Sequence, residues 1–212
     1  TKVWNDGNNQ DGNRPDSVLV QLLANGEALG EVVEVTAEDN WTFTWTGLDL
    51  NEAGEAIVYT VEEVEVPADY EVSVNDEDHG NLMITNSYTP ETTEVLVSKD
   101  WDDADNQDGV RPDSVTVNLL NGNSIEESVE LNAENEWEHT FTDLPVYDNG
   151  NEINYTITEN SVEDYSTSIG STETDEGISY TVTNRHTPGE TSATVTKVWN
   201  DGNNQDGNRP DS

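Results

Sequence analysis

Residues 1–17, Thr-Lys-Val-Trp-Asn-Asp-Gly-Asn-Asn-Gln-Asp-Gly-Asn-Arg-Pro-Asp-Ser, recur unchanged at 196–212. A weaker copy of the same text lies midway between them. Asn-Gln-Asp-Gly-x-Arg-Pro-Asp-Ser-Val at 9–18 returns at 106–115, and Tyr-Thr-Val-Glu-Glu at 59–63 returns as Tyr-Thr-Ile-Thr-Glu at 155–159. Ile-Thr-Asn-x-x-Thr-Pro at 84–90 returns as Val-Thr-Asn-x-x-Thr-Pro at 182–188. A unit of about 97 residues therefore repeats along the chain, and fixed-period self-similarity is the mark of a tandem array. The expected division is one domain over 1–90, a short linker with the start of the next first strand over 91–98, and a second domain over 99–188. Residues 189–212 then supply a linker plus the first strand and loop of an incomplete third repeat. Joining segments this short couple neighbouring repeats closely.

Inside each unit the text reads as strands. Val18–Leu23 runs into Asn25-Gly26 and Val115–Leu120 into Asn121-Gly122, and Asn-Gly between β-rich runs is a strong hairpin signal. Further strands are expected over 31–36, 41–46, 56–66, 70–74 and 82–88. Many short strands without a helical period predict an all-β chain of tandem sandwiches. A hydrophobic fraction of 32% fits small sandwiches with one polar face per strand.

With 46 acidic and seven basic residues the net charge is −39, which argues against partners that are nucleic acids or anionic membrane surfaces. Such acidity suits a cell-surface protein or a salt-rich habitat. No apolar run approaches the roughly 18 residues of a membrane span, so no membrane insertion is expected. There is no cysteine, so no disulfide can staple the fold. The three lysines, Lys2, Lys99 and Lys197, all stand at one repeat position, two residues before a tryptophan.

Strand alternation puts these lysines on apolar faces. Val95, Val97, Lys99 and Trp101 share one side of a strand, as do Val195, Lys197 and Trp199. The same parity test turns Glu63 inward with Ile57, Tyr59 and Val61, and Glu159 with Ile153, Tyr155 and Ile157. It turns Asn86 inward with Leu82 and Ile84, and Asn184 with Ile178, Tyr180 and Val182. Each complete unit thus buries one Lys, one Glu and one Asn. Burial lowers a lysine's pKa and raises a glutamate's. A neutral amine is a nucleophile, and a protonated carboxyl can polarise an amide carbonyl. Attack of Lys Nζ on Asn Cγ, with Glu shuttling protons and ammonia leaving, would give an isopeptide bond. The alternative is a buried hydrogen-bonded trio and nothing more.

The chain resembles tandem B-type repeat domains of Gram-positive collagen adhesins, the Cna-B family. Lys-x-Trp, Asn-Gln-Asp-Gly-x-Arg-Pro, Tyr-x-x-x-Glu and Thr-Asn before Thr-Pro carry the likeness, over both full units and the start of a third. The resemblance implies inverse immunoglobulin-like (prealbumin-like) β-sandwiches. It pairs Lys2 with Asn86 assisted by Glu63, and Lys99 with Asn184 assisted by Glu159. Glu62 also neighbours the first site, but its parity favours Glu63. Lys197 has no Glu or Asn of its own before residue 212 and is expected to stay unpaired.

The implied role is a stalk or fibre repeat, extracellular and anchored to the cell surface or cell wall by a segment outside this one. The rivals are direct adhesion to an extracellular or host ligand and homotypic assembly. Neighbouring repeats are the expected partners. No cofactor is expected and no turnover enzyme, for there is no Ser-His-Asp arrangement or phosphate loop. Asp6, Asp11, Asp103, Asp105 and Asp108 lie in oxygen-rich loops that are weak calcium candidates, lacking the spacing and terminal Glu of an EF-hand. Asx-turns leading into Arg-Pro explain those loops as well. His79, His139 and His186 have no metal-ligand spacing.

Overall fold

A computed structural model describes residues 1–78 and 80–210, so His79 lies outside the described residues. The first repeat contains β1 (Lys2–Asn5), β2 (Ser17–Ala24), β3 (Glu27–Thr36), β4 (Asn51–Glu52), β5 (Glu55–Ala56), β6 (Tyr59–Glu63), β7 (Glu71–Asn75) and β8 (Met83–Ser87). The second contains β9 (Thr92–Asp102), β10 (Ser114–Asn121), β11 (Ser124–Asn132), β12 (Glu138–Pro145), β13 (Tyr147–Asp148) and β14 (Asn151–Glu152). It closes with β15 (Tyr155–Glu159), β16 (Ser166–Glu173) and β17 (Gly177–Arg185). A single 3₁₀ turn at Ala133–Asn135 is the helical exception among the described residues.

Each repeat is a sandwich of two sheets, one ordered β3-β2-β6 facing β1-β8-β7, the other β11-β10-β15 facing β12-β9-β17-β16. The apolar residues that alternate along the strands meet between them. In the second repeat Val95, Val97, Val117, Leu119, Leu131, Phe141, Ile157 and Val182 form the core. In the first it is Val18, Val20, Leu22, Val35, Val61 and Ile84.

The first and last strands of each repeat lie side by side and parallel. Lys2 pairs with Ile84 and Trp4 with Asn86; Lys99 pairs with Val182 and Trp101 with Asn184. A parallel pair needs a long crossover, and here the crossover is the rest of the domain.

The two hairpins signalled by Asn-Gly form differently. Asn25 and Gly26 both take positive φ, +50° and +84°, as a type I′ turn requires. The second loop is Gly122-Asn123, with Gly122 at φ +59° in the first central place.

Two expected strands are corrected. Residues 41–46 are irregular in the first repeat, although their counterpart is β12 in the second. β12 is held by its ladder to Thr92–Ser98 of β9, and among the described residues no strand pairs with 42–46. A cleft of about 190 Å³ lies there instead, lined by Trp41, Trp45, Val20, Ile84 and Lys2. The stretch 56–66 breaks into β5 and β6, with Val64–Val66 outside any strand.

β9 runs through residues 92–98, and Val95 and Val97 are core. In the tail, no strand forms over 189–200 and Lys197 is exposed, contrary to the inward orientation that parity suggests. Val195 is 95% exposed, so the tail has no apolar layer to turn its alternate residues towards.

Candidate functional site

Lys, Glu and Asn come together in both complete repeats. The lysine and asparagine stand on adjacent parallel strands, offset by two residues and facing the same way, and the glutamate reaches them from the opposite sheet. Lys2 Nζ lies 3.9 Å from Glu63 Oε2, with both side chains almost fully buried. Asn86 Nδ2 donates to Glu63 Oε1 at 2.9 Å, and Asn86 is 0% exposed. In the second repeat Lys99 Nζ lies 4.0 Å from Glu159 Oε1, and Asn184 is again 0% exposed. Glu62 points to solvent.

Each cluster leaves polar atoms without partners. Glu63 Oε2 and Asn86 Oδ1 have none in the first; Glu159 Oε1 and both side-chain polar atoms of Asn184 have none in the second. Buried polar atoms are rarely left so, because each costs about 1–3 kcal/mol. Burial lowers Lys2 and Lys99 to about 8, against the opposing pull of Glu63 and Glu159. Burial also raises Glu63, which the Asn86 and Lys2 contacts only partly offset. A Glu63 that keeps its proton on Oε1 could donate to Asn86 Oδ1 once the amide is turned over, satisfying the amide oxygen and drawing electrons from Asn86 Cγ. The amines meanwhile donate to backbone carbonyls, Lys2 to Val3 at 3.1 Å and Lys99 to Asp100 at 2.7 Å and Val182 at 3.2 Å.

Sequence reasoning missed the aromatic cluster built on the indole over which each lysine sits. Trp41 and Trp137 take positive φ, +55° and +64°, a conformation bulky residues rarely adopt. Their carbonyls accept from Lys2 N at 2.7 Å and Lys99 N at 2.9 Å, and their rings stack edge-on against Trp4 and Trp101 at 5.2 and 5.3 Å. Tyr70 and Tyr165 pack on the same indoles and donate to Asp6 at 3.0 Å and Asp103 at 2.9 Å. Repeat-equivalent tryptophans were visible in the sequence; the backbone strain was not.

The calcium candidates are engaged otherwise. Asp6 and Asp103 form paired contacts with Arg14 and Arg111, the shortest 2.6 Å in each. Arg111 holds Asp103 well below the usual carboxylate range; for Asp6, burial pushes up but Arg14, the Asn9 amide and Tyr70 prevail. Asp105 is exposed, and no group of three or more acidic or histidine side chains suited to a metal occurs among the described residues.

Asp11 and Asp108 instead tie down the chain leaving each repeat. Asp11 Oδ2 accepts from Tyr88 Oη and Glu91 N, both at 2.8 Å. Asp108 Oδ2 accepts from Gly189 N at 2.9 Å and contacts His186 Nε2 at 3.0 Å. At the first joint Gly150 N of the second repeat also donates to Gln10 O at 3.0 Å. His139 stacks against Phe141 at 4.7 Å.

Comparison with known proteins agrees with the fold. The family model described as Cna protein B-type domain matches residues 1–87 and again 95–185. A collagen adhesin of Staphylococcus aureus is 50% identical over 210 residues, which is 99% of this chain but 17% of the adhesin. The crystal structure of two B repeat units of the collagen binding protein of Staphylococcus aureus superposes with a TM-score of 0.79 at 48% identity. That match covers 99% of this chain and 54% of that one.

Proposed function

Because the chain belongs to the Cna protein B-type domain family, we propose that each complete repeat is a stalk module of a surface adhesin, locked by an isopeptide bond between its first and last strands. Lys2 would join Asn86 and Lys99 would join Asn184. Glu63 and Glu159 would act as the catalytic acids of a reaction that each domain performs once on itself. The observation that carries this reading is the repeated buried Lys–Glu–Asn cluster with its orphaned carboxyl and amide oxygens.

The chemistry uses only these groups. The amine yields a proton to the carboxylate and its nitrogen attacks Asn Cγ. The tetrahedral oxygen is stabilised by the carboxyl proton, which then passes to the departing nitrogen. The attacking nitrogen gives its second proton to the carboxylate so freed, leaving a neutral amide and a protonated Glu. One C–N bond forms, one breaks, and ammonia leaves. Holding the two groups on adjacent strands removes the entropic cost of bringing them together, which can amount to about 7–11 kcal/mol of barrier.

The mechanical consequence follows from the parallel pairing. Tension enters a repeat through its first strand and leaves through its last. A bond between those strands carries the load and spares the roughly 83 residues between, which could otherwise extend by about 280 Å. Closing that loop also stabilises each domain by about 4–5 kcal/mol on the loop-entropy model. In a chain without cysteine it does the work of a disulfide. The relatives support a place on the bacterial surface, with neighbouring repeats as the first partners.

Intact-mass measurement tests the crosslinks. The chain should weigh less than its sequence by two ammonia molecules, Asn86→Ala and Asn184→Ala should each abolish one loss, and tandem mass spectrometry should find the branched peptides. A chain at its full sequence mass would rule the bonds out.

A further inference from the structure

Each lysine shares its indole with an arginine. Lys2 Nζ lies 3.8 Å from the Trp4 ring centroid and the Arg14 guanidinium carbon 5.4 Å from it. Over Trp101 the distances are 3.9 Å for Lys99 and 5.2 Å for Arg111. The tail repeats the arrangement, Lys197 at 4.6 Å and Arg209 at 5.5 Å from Trp199. That third copy has no surrounding sandwich among the described residues, so the loop itself encodes the stack. An asparagine side chain fixes each arginine's backbone: Asn9, Asn106 and Asn204 Oδ1 accept from Arg14, Arg111 and Arg209 N at 2.8, 2.9 and 2.8 Å.

The arginine answers a problem created by the strand. Lys, Trp and Asp occur at alternate positions, so Asp6 and Asp103 follow the lysines on the same face. They are 2% and 1% exposed. An uncompensated carboxylate so close would hold the amine as ammonium, which cannot attack an amide. Arg14 and Arg111 meet these carboxylates with two contacts each, at 2.6 and 2.9 Å.

We propose that Arg14 and Arg111 are positioning residues for isopeptide formation: each braces the indole that carries the lysine and cancels the buried aspartate beside it, leaving the amine free to lose its proton. The inference rests on the crosslink reading above. The directions of the electrostatic influences agree, since Asp6 and Asp103 favour the charged lysine and Arg14 and Arg111 oppose it.

Two measurements on the full chain test this. In an Asn184→Ala background, where Lys99 cannot react, its amine is titrated by NMR. Arg111→Gln should raise the Lys99 pKa by about one unit, the low end for a nearby opposite charge. Arg111→Lys should keep it near the parent value, and Asp103→Asn with Arg111→Gln should restore it. The double substitution removes the buried charge along with its partner, so it remains informative if the single variant folds poorly. With Asn184 intact, ammonia loss followed by mass from the moment of synthesis should slow about tenfold in Arg111→Gln at pH 7, and recover as pH rises. If the parent chain loses ammonia normally but the Lys99 pKa stays unmoved in Arg111→Gln, the arginine's role is overturned alone. If the parent chain loses no ammonia at all, the crosslink reading and this proposal fall together.

Discussion

The two complete repeats bury the same three residues inside sandwiches of different breadth, though only in the first is the asparagine bonded to its glutamate. The second has a four-stranded sheet, β12-β9-β17-β16, where the first has three strands, β1-β8-β7. Its core is also larger, adding Phe141, Tyr155 and Tyr180 to the aliphatic layer. Yet the lysine–glutamate separations are 3.9 and 4.0 Å and the lysine–indole distances 3.8 and 3.9 Å. The cluster therefore depends on the parallel pair of first and last strands and on the facing strand with the glutamate. The strand that widens the sheet is dispensable to it.

Removing the crosslinks tests that independence most severely. Lys2→Ala and Lys99→Ala should each lower the stability of their own repeat by the loop-closure contribution of about 4–5 kcal/mol, beyond losses from packing. Set against a typical total of about 5–15 kcal/mol, this is a large share. Thermal unfolding followed by calorimetry should resolve a separate early transition for the altered repeat. Were only Lys99→Ala to have an effect, the narrower first sheet would not support the reaction and the geometric equivalence would be misleading.

The first joint has a complete repeat on both sides, whereas beyond the second the structure describes residues 189–210. Gly12 and Gly109 occupy equivalent places with φ of +75° and +69°. An alanine at either takes on the left-handed penalty of about 1–2 kcal/mol. At Gly12 the new Cβ would also stand 2.7 Å from Gly150 Cα, whereas at Gly109 nothing lies within 4 Å. Gly12→Ala should therefore disturb the contact between repeats as well as the loop. Residual dipolar couplings should report a changed or averaged orientation of the two repeats in Gly12→Ala but not in Gly109→Ala. Equal behaviour would mean that the Gly12–Gly150 contact does not restrain the joint.

Period-two alternation made the cluster legible because both faces of each strand have distinct environments. Parity, together with Thr158 standing where the first repeat has Glu62, favours Glu63, and the structure turns Glu63 inward and Glu62 out. Alternation fails where no second layer exists, as at Lys197, whose neighbours Val195 and Val198 are 95% and 76% exposed. It also cannot report pairing: residues 41–46 have strand composition, but composition does not supply a partner for the ladder. The positive φ of Trp41 and Trp137 escaped for another reason. Tryptophan offers no local signal for a left-handed backbone, and here the conformation goes with backbone bonds at both its N–H and its carbonyl and with stacking on Trp4 and Trp101. The Arg-Pro motif was visible as a repeat, but its link to the lysine passes through an indole and a carboxylate that only the folded loop assembles.

The smallest expected effect separates the two joints by pH. Tyr88 in the first is replaced by His186 in the second, on equivalent aspartates. The bond to Asp11, aided by burial, pushes Tyr88 up to about 12, so the first joint keeps its proton across the neutral range. His186 has acceptors at both ring nitrogens, Asp108 Oδ2 and Asp164 O, each at 3.0 Å. A neutral imidazole has one N–H and can satisfy only one of them; the imidazolium satisfies both. The bond to Asp108, then that to Asp164, raises His186 above its usual value, and His186 in turn lowers Asp108. A raised histidine stabilises fully below its unfolded pKa of about 6.5 and loses that contribution as pH rises through the folded value. The lowered Asp108 keeps its share until pH falls through its own depressed value. The second joint should thus be firmest in mildly acid solution and loosen on the alkaline side, while the first stays unchanged. Amide exchange at Gly189, corrected for intrinsic rate, should quicken as pH rises above about 6.5, with Glu91 as the internal control. His186→Tyr should make the two amides behave alike, and a Gly189 amide indifferent to pH in the parent chain would show that the histidine has no grip on the joint.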